Sequence, residues 1–309
     1  MPRNTWSSAD SPRLCTRPEP NSSVSSRPVP APSTPTGLSS TDRRLLSLLG
    51  EHGVLTTSQL IRLTGLPERT VQHRLGRLHR VGLVNRCRPE APVGTAPYHV
   101  WLTTFGAAAI GAGQAEPWSE NPAGLQATAT LSELWLGVRD HGTKVGLQMV
   151  GWRRLRDGLT WCAPNTGASR QLPVEAELRV GLGGEAVTAF VLARVERVPA
   201  ARLTAIVARF AAYLAAGPAT TPRPVLLVLA RTERVAAGVH AACGQVADTP
   251  SGRRLGWVAL DAASRQVAVG VVEPRPAGLV SEAVWRTPAA PGALRRLVDV
   301  LDGTLAGGR

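Results

Sequence analysis

Between residues 39 and 111 the apolar positions alternate between helical and strand spacing. Leu45, Leu46 and Leu49 follow Ser39, Ser40, Thr41 and Asp42, residues that cap a helix start and put an acid in its first turn. Gly53 stops that run, and Val54-Leu55 is long enough only for a short strand. Thr57 is expected to cap a second helix, whose Leu60, Ile61 and Leu63 face inward. Pro67 suits the first turn of a third helix because its missing N–H would be unpaired there. Val71, Leu75 and Leu78 then recur at steps of four and three, one apolar stripe, until Gly82 ends the helix as a C-cap glycine. Leu83 to Arg88 reads as a strand, Pro89 to Pro97 as a loop and Tyr98 to Leu102 as the returning strand. Thr103 caps a small helix ending at Gly111. Helix, strand, helix, helix, hairpin is the order of a winged helix-turn-helix.

Downstream the pattern changes. Residues 112–124 are Gly/Pro-rich and without period, the composition of a linker. A helix from Leu125 to Asp140 carries Leu131, Leu134, Trp135 and Val138. Short β-branched runs follow at Val145 to Trp152, Glu175 to Val180, Val187 to Val195, Val225 to Leu229, Leu255 to Leu260 and Val267 to Val272. Helices at Pro199 to Ala215 and Glu233 to Cys243 interrupt them, and a last helix is expected from Gly292 to Leu305. Gly181, Gly183 and Gly184 lack the helix and Lys-Ser/Thr pair of a phosphate loop and read as a hairpin turn. The fold class is α/β (α+β overall). Four segments are expected: a Pro/Ser-rich disordered tail at 1–37, a winged helix at 38–111, the linker at 112–124, and an α/β domain at 125–309.

Charge sharpens this picture. The 309-residue chain carries +13, but Lys144 is its one lysine, so part of the excess follows from a GC-rich coding bias. The placement of the arginines is more informative than their number. Six lie between Glu68 and Arg88 against the single acid Glu68. Projection of the third helix puts Arg69, His73, Gly76 and Arg80 opposite the apolar stripe, with Arg77 on the flank. Arginine forks onto guanine or pairs with phosphate, so Arg69, Thr70, His73, Arg74, Arg77 and Arg80 on the helix, with Arg86 and Arg88 on the hairpin, are the expected contacts to double-stranded DNA. The alternative is a protein-interaction module in which these arginines form a solvated face. Cys15, Cys87, Cys162 and Cys243 include no CxxC pair, consistent with reduced thiols. His240 and Cys243 have ligand-like spacing but no further ligands nearby, so no metal or cofactor is expected. No uninterrupted apolar run is long enough for a membrane helix and no apolar signal core begins the chain; no membrane association and a cytoplasmic location are expected.

The segments TTSQLIRLTG, RTVQHRLGRLHRVGLV and YHVWLTTFGAAAIG resemble the winged-helix half of the replication-relaxation family of actinobacterial plasmids and integrating elements. That resemblance covers about residues 41 to 111. It implies a DNA-binding accessory to replication or conjugative transfer; a relaxase, a replication initiator or a second copy is the expected protein partner of the α/β domain. It also implies a second domain of restriction-endonuclease-like fold. There the chain departs from its relatives: LPVEAEL and FVLARVER stand where a Pro-Asp-Ala turn and a Glu-x-Asp strand are found in the family. Arg194 falls where the second carboxylate would be, and a guanidinium cannot ligate a cation. The expectation is therefore a degenerate, non-catalytic nuclease fold. The rival readings are a Mg²⁺-dependent DNA nuclease using Glu175, Glu177 and Glu196, and a winged-helix transcription regulator.

Overall fold

The computed structural model describes residues 37–89, 96–112, 122–162, 167–193, 195, 198–216, 222–246, 266–272, 278–282, 284–288 and 290–306. Residues 1–36 of the expected 1–37 tail, most of the expected linker, the tip of the hairpin loop, Arg194, Glu196 and the expected strand Leu255 to Leu260 lie outside the described residues.

The first unit is built as its caps dictate. Helix α1 (Ser40–His52) starts at Ser39, whose side chain accepts from the Asp42 backbone N–H while Asp42 reaches back to the Ser39 N–H, a reciprocal capping box. Strand β1 (Val54–Thr56) leads into α2 (Thr57–Thr64). Its cap is Thr56 rather than Thr57, because Gln59 is correctly spaced to complete a second capping box with Thr56. Helix α3 (Glu68–Arg80) ends on Gly82, which has φ 73°. The Gly82 N–H reaches His79 O and the Leu83 N–H reaches Leu78 O, the paired bonds of a Schellman motif that few residues other than glycine can close. Strands β2 (Val84–Cys87) and β3 (His99–Leu102) form the hairpin, and β3 also pairs with β1, giving the order β1-β3-β2. Helix α4 (Thr104–Ala109) is capped by Thr103. A Cβ at Gly106 would fall 1.9 Å from the Leu83 carbonyl oxygen, so only glycine lets α4 lie against the base of the hairpin.

Helix α5 (Pro122–His141) joins this unit to a sheet of seven described strands. The strands are β4 (Gln148–Arg154), β7 (Ala176–Leu182), β8 (Glu185–Leu192), β9 (Val225–Ala230), β10 (Val267–Val271), β11 (Trp285–Thr287) and β12 (Ala290–Arg295), in the spatial order β12-β11-β10-β9-β8-β7-β4. The β4-β7-β8 meander is antiparallel, whereas β8-β9 and β9-β10 are parallel, joined through α6 (Ala200–Ala216) and α7 (Glu233–Gly244). One sheet face buries Leu178, Val180 and Val191 against Leu131, Leu134 and Val138 of α5; the other buries Phe190, Leu192 and Val228 against Ile206 and Phe210 of α6. A separate hairpin, β5 (Leu159–Cys162) and β6 (Ser169–Leu172), adds Leu159 and Leu172 to that second core.

The chain is mixed α/β, as expected, with local departures. Val145 closes a 3-10 turn and is not in a strand, so β4 begins at Gln148. The β5-β6 hairpin was not anticipated. The last helix begins at Leu297, not Gly292: Pro291 and Gly292 are poor helix formers, and the segment pairs instead with β11 as an edge strand, leaving Leu294 exposed. Neither Cys87 nor Cys243 is in a disulfide, whereas Cys162 is disulfide-bonded, contrary to the expectation of reduced cysteines throughout. Among the described residues no helix is long and apolar enough to cross a membrane.

Candidate nucleic-acid interface

Helix α3 divides into four strips. Val71, Leu75 and Leu78 are buried in the core of the first unit. Opposite them, Arg69, His73 and Arg80 are exposed along one outward face, as their spacing predicts, and Thr70 is half-buried beside them.

The two flanks have different jobs. On the side of α1, Arg74 donates to Ser39 Oγ (3.1 Å) and to Asp42 Oδ2 (3.4 Å). Arg77 donates to Gly37 O (2.9 Å) and lies 3.7 Å from the same carboxylate oxygen. Asp42 is fully buried. Burial alone would raise its carboxyl, but the Ser39 hydrogen bonds and the charges of Arg74 and Arg77 outweigh it and hold the group below the ordinary carboxylate range. Arg74 and Arg77 therefore stitch α3 to the start of α1, with about a third of each side chain still open to solvent.

On the opposite flank, α3 faces the hairpin. Arg86 on β2 and Arg88, one residue past its end, stand two residues apart, and both guanidinium groups lie over the Tyr98 ring, 4.7 Å and 4.1 Å from its centroid. With Thr57, Gln72, Leu75 and Val100 they line a pocket of about 110 Å³. Thr57 donates its backbone N–H to Tyr98 O (2.9 Å), which ties the start of α2 to the hairpin and holds the pocket's shape. Among the described residues neither Arg86 nor Arg88 has a carboxylate partner. The structure thus leaves Arg69, His73 and Arg80 exposed on the outward face of α3, sets Arg86 and Arg88 over Tyr98 on its hairpin flank, and turns Arg74 and Arg77 toward α1. Sequence reasoning missed Gln72, Thr57 and Tyr98. Tyr98 was legible in principle, because it lies one step beyond the Cys87–His99 pair and so faces the same way as Arg88.

Glu175 and Glu177, the two described members of the candidate carboxylate set, are engaged elsewhere. Glu175 accepts a hydrogen bond from the Ala193 N–H (2.6 Å), across the β7-β8 pairing. Glu177 pairs with Arg153 on the neighbouring β4 and lies near Tyr213, whose hydroxyl is pushed up to about 12, first by burial and then by that carboxylate. No group of three or more His, Cys, Asp and Glu suited to a metal is found among the described residues. His240 and Cys243 belong to α7, where burial pushes the thiol up to about 12.

Three helices, a twice-paired short sheet and a basic hairpin define a winged helix-turn-helix joined to an α/β body. Residues 46–158 match the profile of the family described as Replication-relaxation, and over that stretch the chain is similar to this family. The match runs from α1 through α5 and β4, further than the segments that carried the resemblance. No curated protein and no solved structure matches the chain.

Proposed function

We propose that this protein is a non-catalytic, double-stranded-DNA-binding accessory for the replication or conjugative transfer of a plasmid or other mobile element, acting in the cytoplasm. The observation that carries the reading is a second helix of the helix-turn-helix with Arg69, His73 and Arg80 exposed on its outward face, flanked by a hairpin that holds Arg86 and Arg88 over Tyr98. A helix-turn-helix of this shape sets its second helix in the major groove while the hairpin runs beside the sugar–phosphate backbone. The family match supports a role around replication. The engagement of Glu175 with a backbone N–H and of Glu177 with Arg153 supports a body without metal chemistry, and the body is the part that would meet a relaxase, a replication initiator or a second copy.

Fluorescence anisotropy with duplex DNA tests the binding. If about three phosphates are neutralised, log K falls against log salt with a slope of about −3. Absence of salt-dependent duplex binding would reject the reading. Supercoiled plasmid incubated with the protein and Mg²⁺ or Mn²⁺ should stay supercoiled; nicking that Glu177→Ala abolishes would replace it with the nuclease. Occupancy mapped across the genome should peak at a transfer or replication origin, whereas peaks at promoters would favour a transcription regulator.

A further inference from the structure

We infer that the pocket between α3 and the hairpin seats a single phosphate group of the DNA backbone, gripped by Arg86 and Arg88 together; the inference rests on the DNA-binding reading above. Two cations over one phenol ring repel each other, and each exposed cation–π contact returns only about 0.5–1 kcal/mol. The cluster is therefore balanced best when an anion lies between the two guanidinium groups. Gln72 and Thr57 add polar wall to the pocket, and both guanidinium groups rest on the Tyr98 ring. Glu68 of α3 is exposed and already accepts from Gln72 Nε2 (2.7 Å). At about 110 Å³ the pocket is well below the roughly 300 Å³ at which cofactor and drug pockets begin, so it fits a phosphate and not a nucleoside. Its position is also decisive. A backbone following the groove read by Arg69 and Arg80 passes the hairpin on this flank, because the other flank is closed by α1. Charge-assisted forks on one phosphate would fix the register of the whole module on the duplex.

The salt dependence of duplex binding by the full chain distinguishes one shared phosphate from two separate ones. The slope counts phosphates neutralised, about 0.9 for each. With a shared phosphate, Arg86→Ala and Arg88→Ala each weaken binding but leave the slope in place, since the remaining arginine still neutralises the group. The double variant flattens it by about 0.9. Arg86→Lys with Arg88→Lys should keep the slope and bind roughly tenfold more weakly, the equivalent of one lost charge-assisted hydrogen bond. Additive flattening, about 0.9 for each single variant and about 1.8 for the double, means two separate phosphates and overturns the seat. So does a double variant with unchanged affinity and slope. A titration of inorganic phosphate followed by ³¹P line broadening separates the two sources of the group: broadening lost in the double variant while its duplex binding is intact would assign the pocket to free phosphate and overturn the inference. If the wild type fails to bind duplex at all, the proposed function itself fails, a result distinct from each of these.

Discussion

At the scale of single residues, the six arginines between Glu68 and Arg88 are chemically identical but physically unequal, and mutation should sort them. Arg80 and Arg69 touch little besides solvent, so Arg80→Ala should flatten the salt slope by about 0.9 and leave the urea midpoint unchanged. Arg77→Ala should do the reverse, because it removes both the tie to Gly37 O and one charge beside buried Asp42. Asp42→Asn should cost about 2 kcal/mol, since it deletes the charge shared by two arginines, each partly screened by water, while keeping the helix cap. The sign of its pH dependence follows from its lowered pKa. The contribution is complete above the ordinary carboxylate value and is lost as pH falls through the lower folded one, so wild type and Asp42→Asn should converge in acid denaturation. Helical projection identified the outer face of α3 correctly. It could not see that Arg77, on the flank, and Arg74 would be drawn to Asp42, because that contact joins residues 32 and more positions apart and depends on how α1 crosses α3.

At the scale of elements, the caps and stripes of α1 to α4 were legible because each is a local rule: two capping boxes, a C-terminal glycine and an apolar period. The role of α5 was not. Its stripe of Leu131, Leu134 and Val138 was read as one buried face, yet Leu136 on another side enters the core of the winged helix. Gln59 of α2 donates to Ala129 O (2.8 Å) and to Glu133, and Arg62 pairs with both Glu133 and Asp140. Trp101 of β3 packs with Leu125. A helix buried on two sides lacks the single polar face that marks an amphipathic surface helix, so its second partner does not show in the pattern. The Gly/Pro composition of 112–124 reads as a linker that sets off the winged helix at 38–111. The packing of α5 argues that this module needs residues up to about 141. A 38–112 fragment should give a non-cooperative melt by circular dichroism and a 38–145 fragment a cooperative one, and Leu136→Ala should cost about 2–5 kcal/mol in the latter. Equal melts of the two fragments would restore the independent module.

At the scale of the whole molecule, the winged helix and the sheet meet at one buried histidine. His52, the last residue of α1, is fully buried against Trp135 of α5, edge-on at 4.6 Å, and stacks at 6.3 Å on Trp152 of β4. Arg154 of β4 donates to its carbonyl oxygen (3.2 Å), and Glu51 lies 4.0 Å from its ring nitrogen. Burial first, and then the charges of Arg154 and Arg139, push the imidazole down to about 4. The ring is therefore neutral in the folded protein across the physiological range. Above the ordinary value of 6.5 neither the folded nor the unfolded chain protonates it, and this histidine adds no pH dependence. Between 6.5 and about 4 the unfolded chain takes up a proton that the folded one refuses, so stability falls through that window. From pH 7 to pH 5 the loss from this one group should be about 2 kcal/mol, at roughly 1.4 kcal/mol for each pH unit crossed below 6.5. Asp42 does not confuse the measurement, since its own transition lies below the ordinary carboxylate range. His52→Phe keeps a ring between the two tryptophans and removes the titration. Its urea midpoint should fall less from pH 7 to pH 5 than that of the wild type, the remaining fall coming from His99 and His240, whose imidazoles burial also pushes down. Because α1, α5 and β4 all contact this residue, the wild-type decline should appear together in far-ultraviolet circular dichroism and in tryptophan fluorescence, as one transition. Separate transitions for the two signals, or the same decline in His52→Phe, would show that this junction does not couple the winged helix to the sheet.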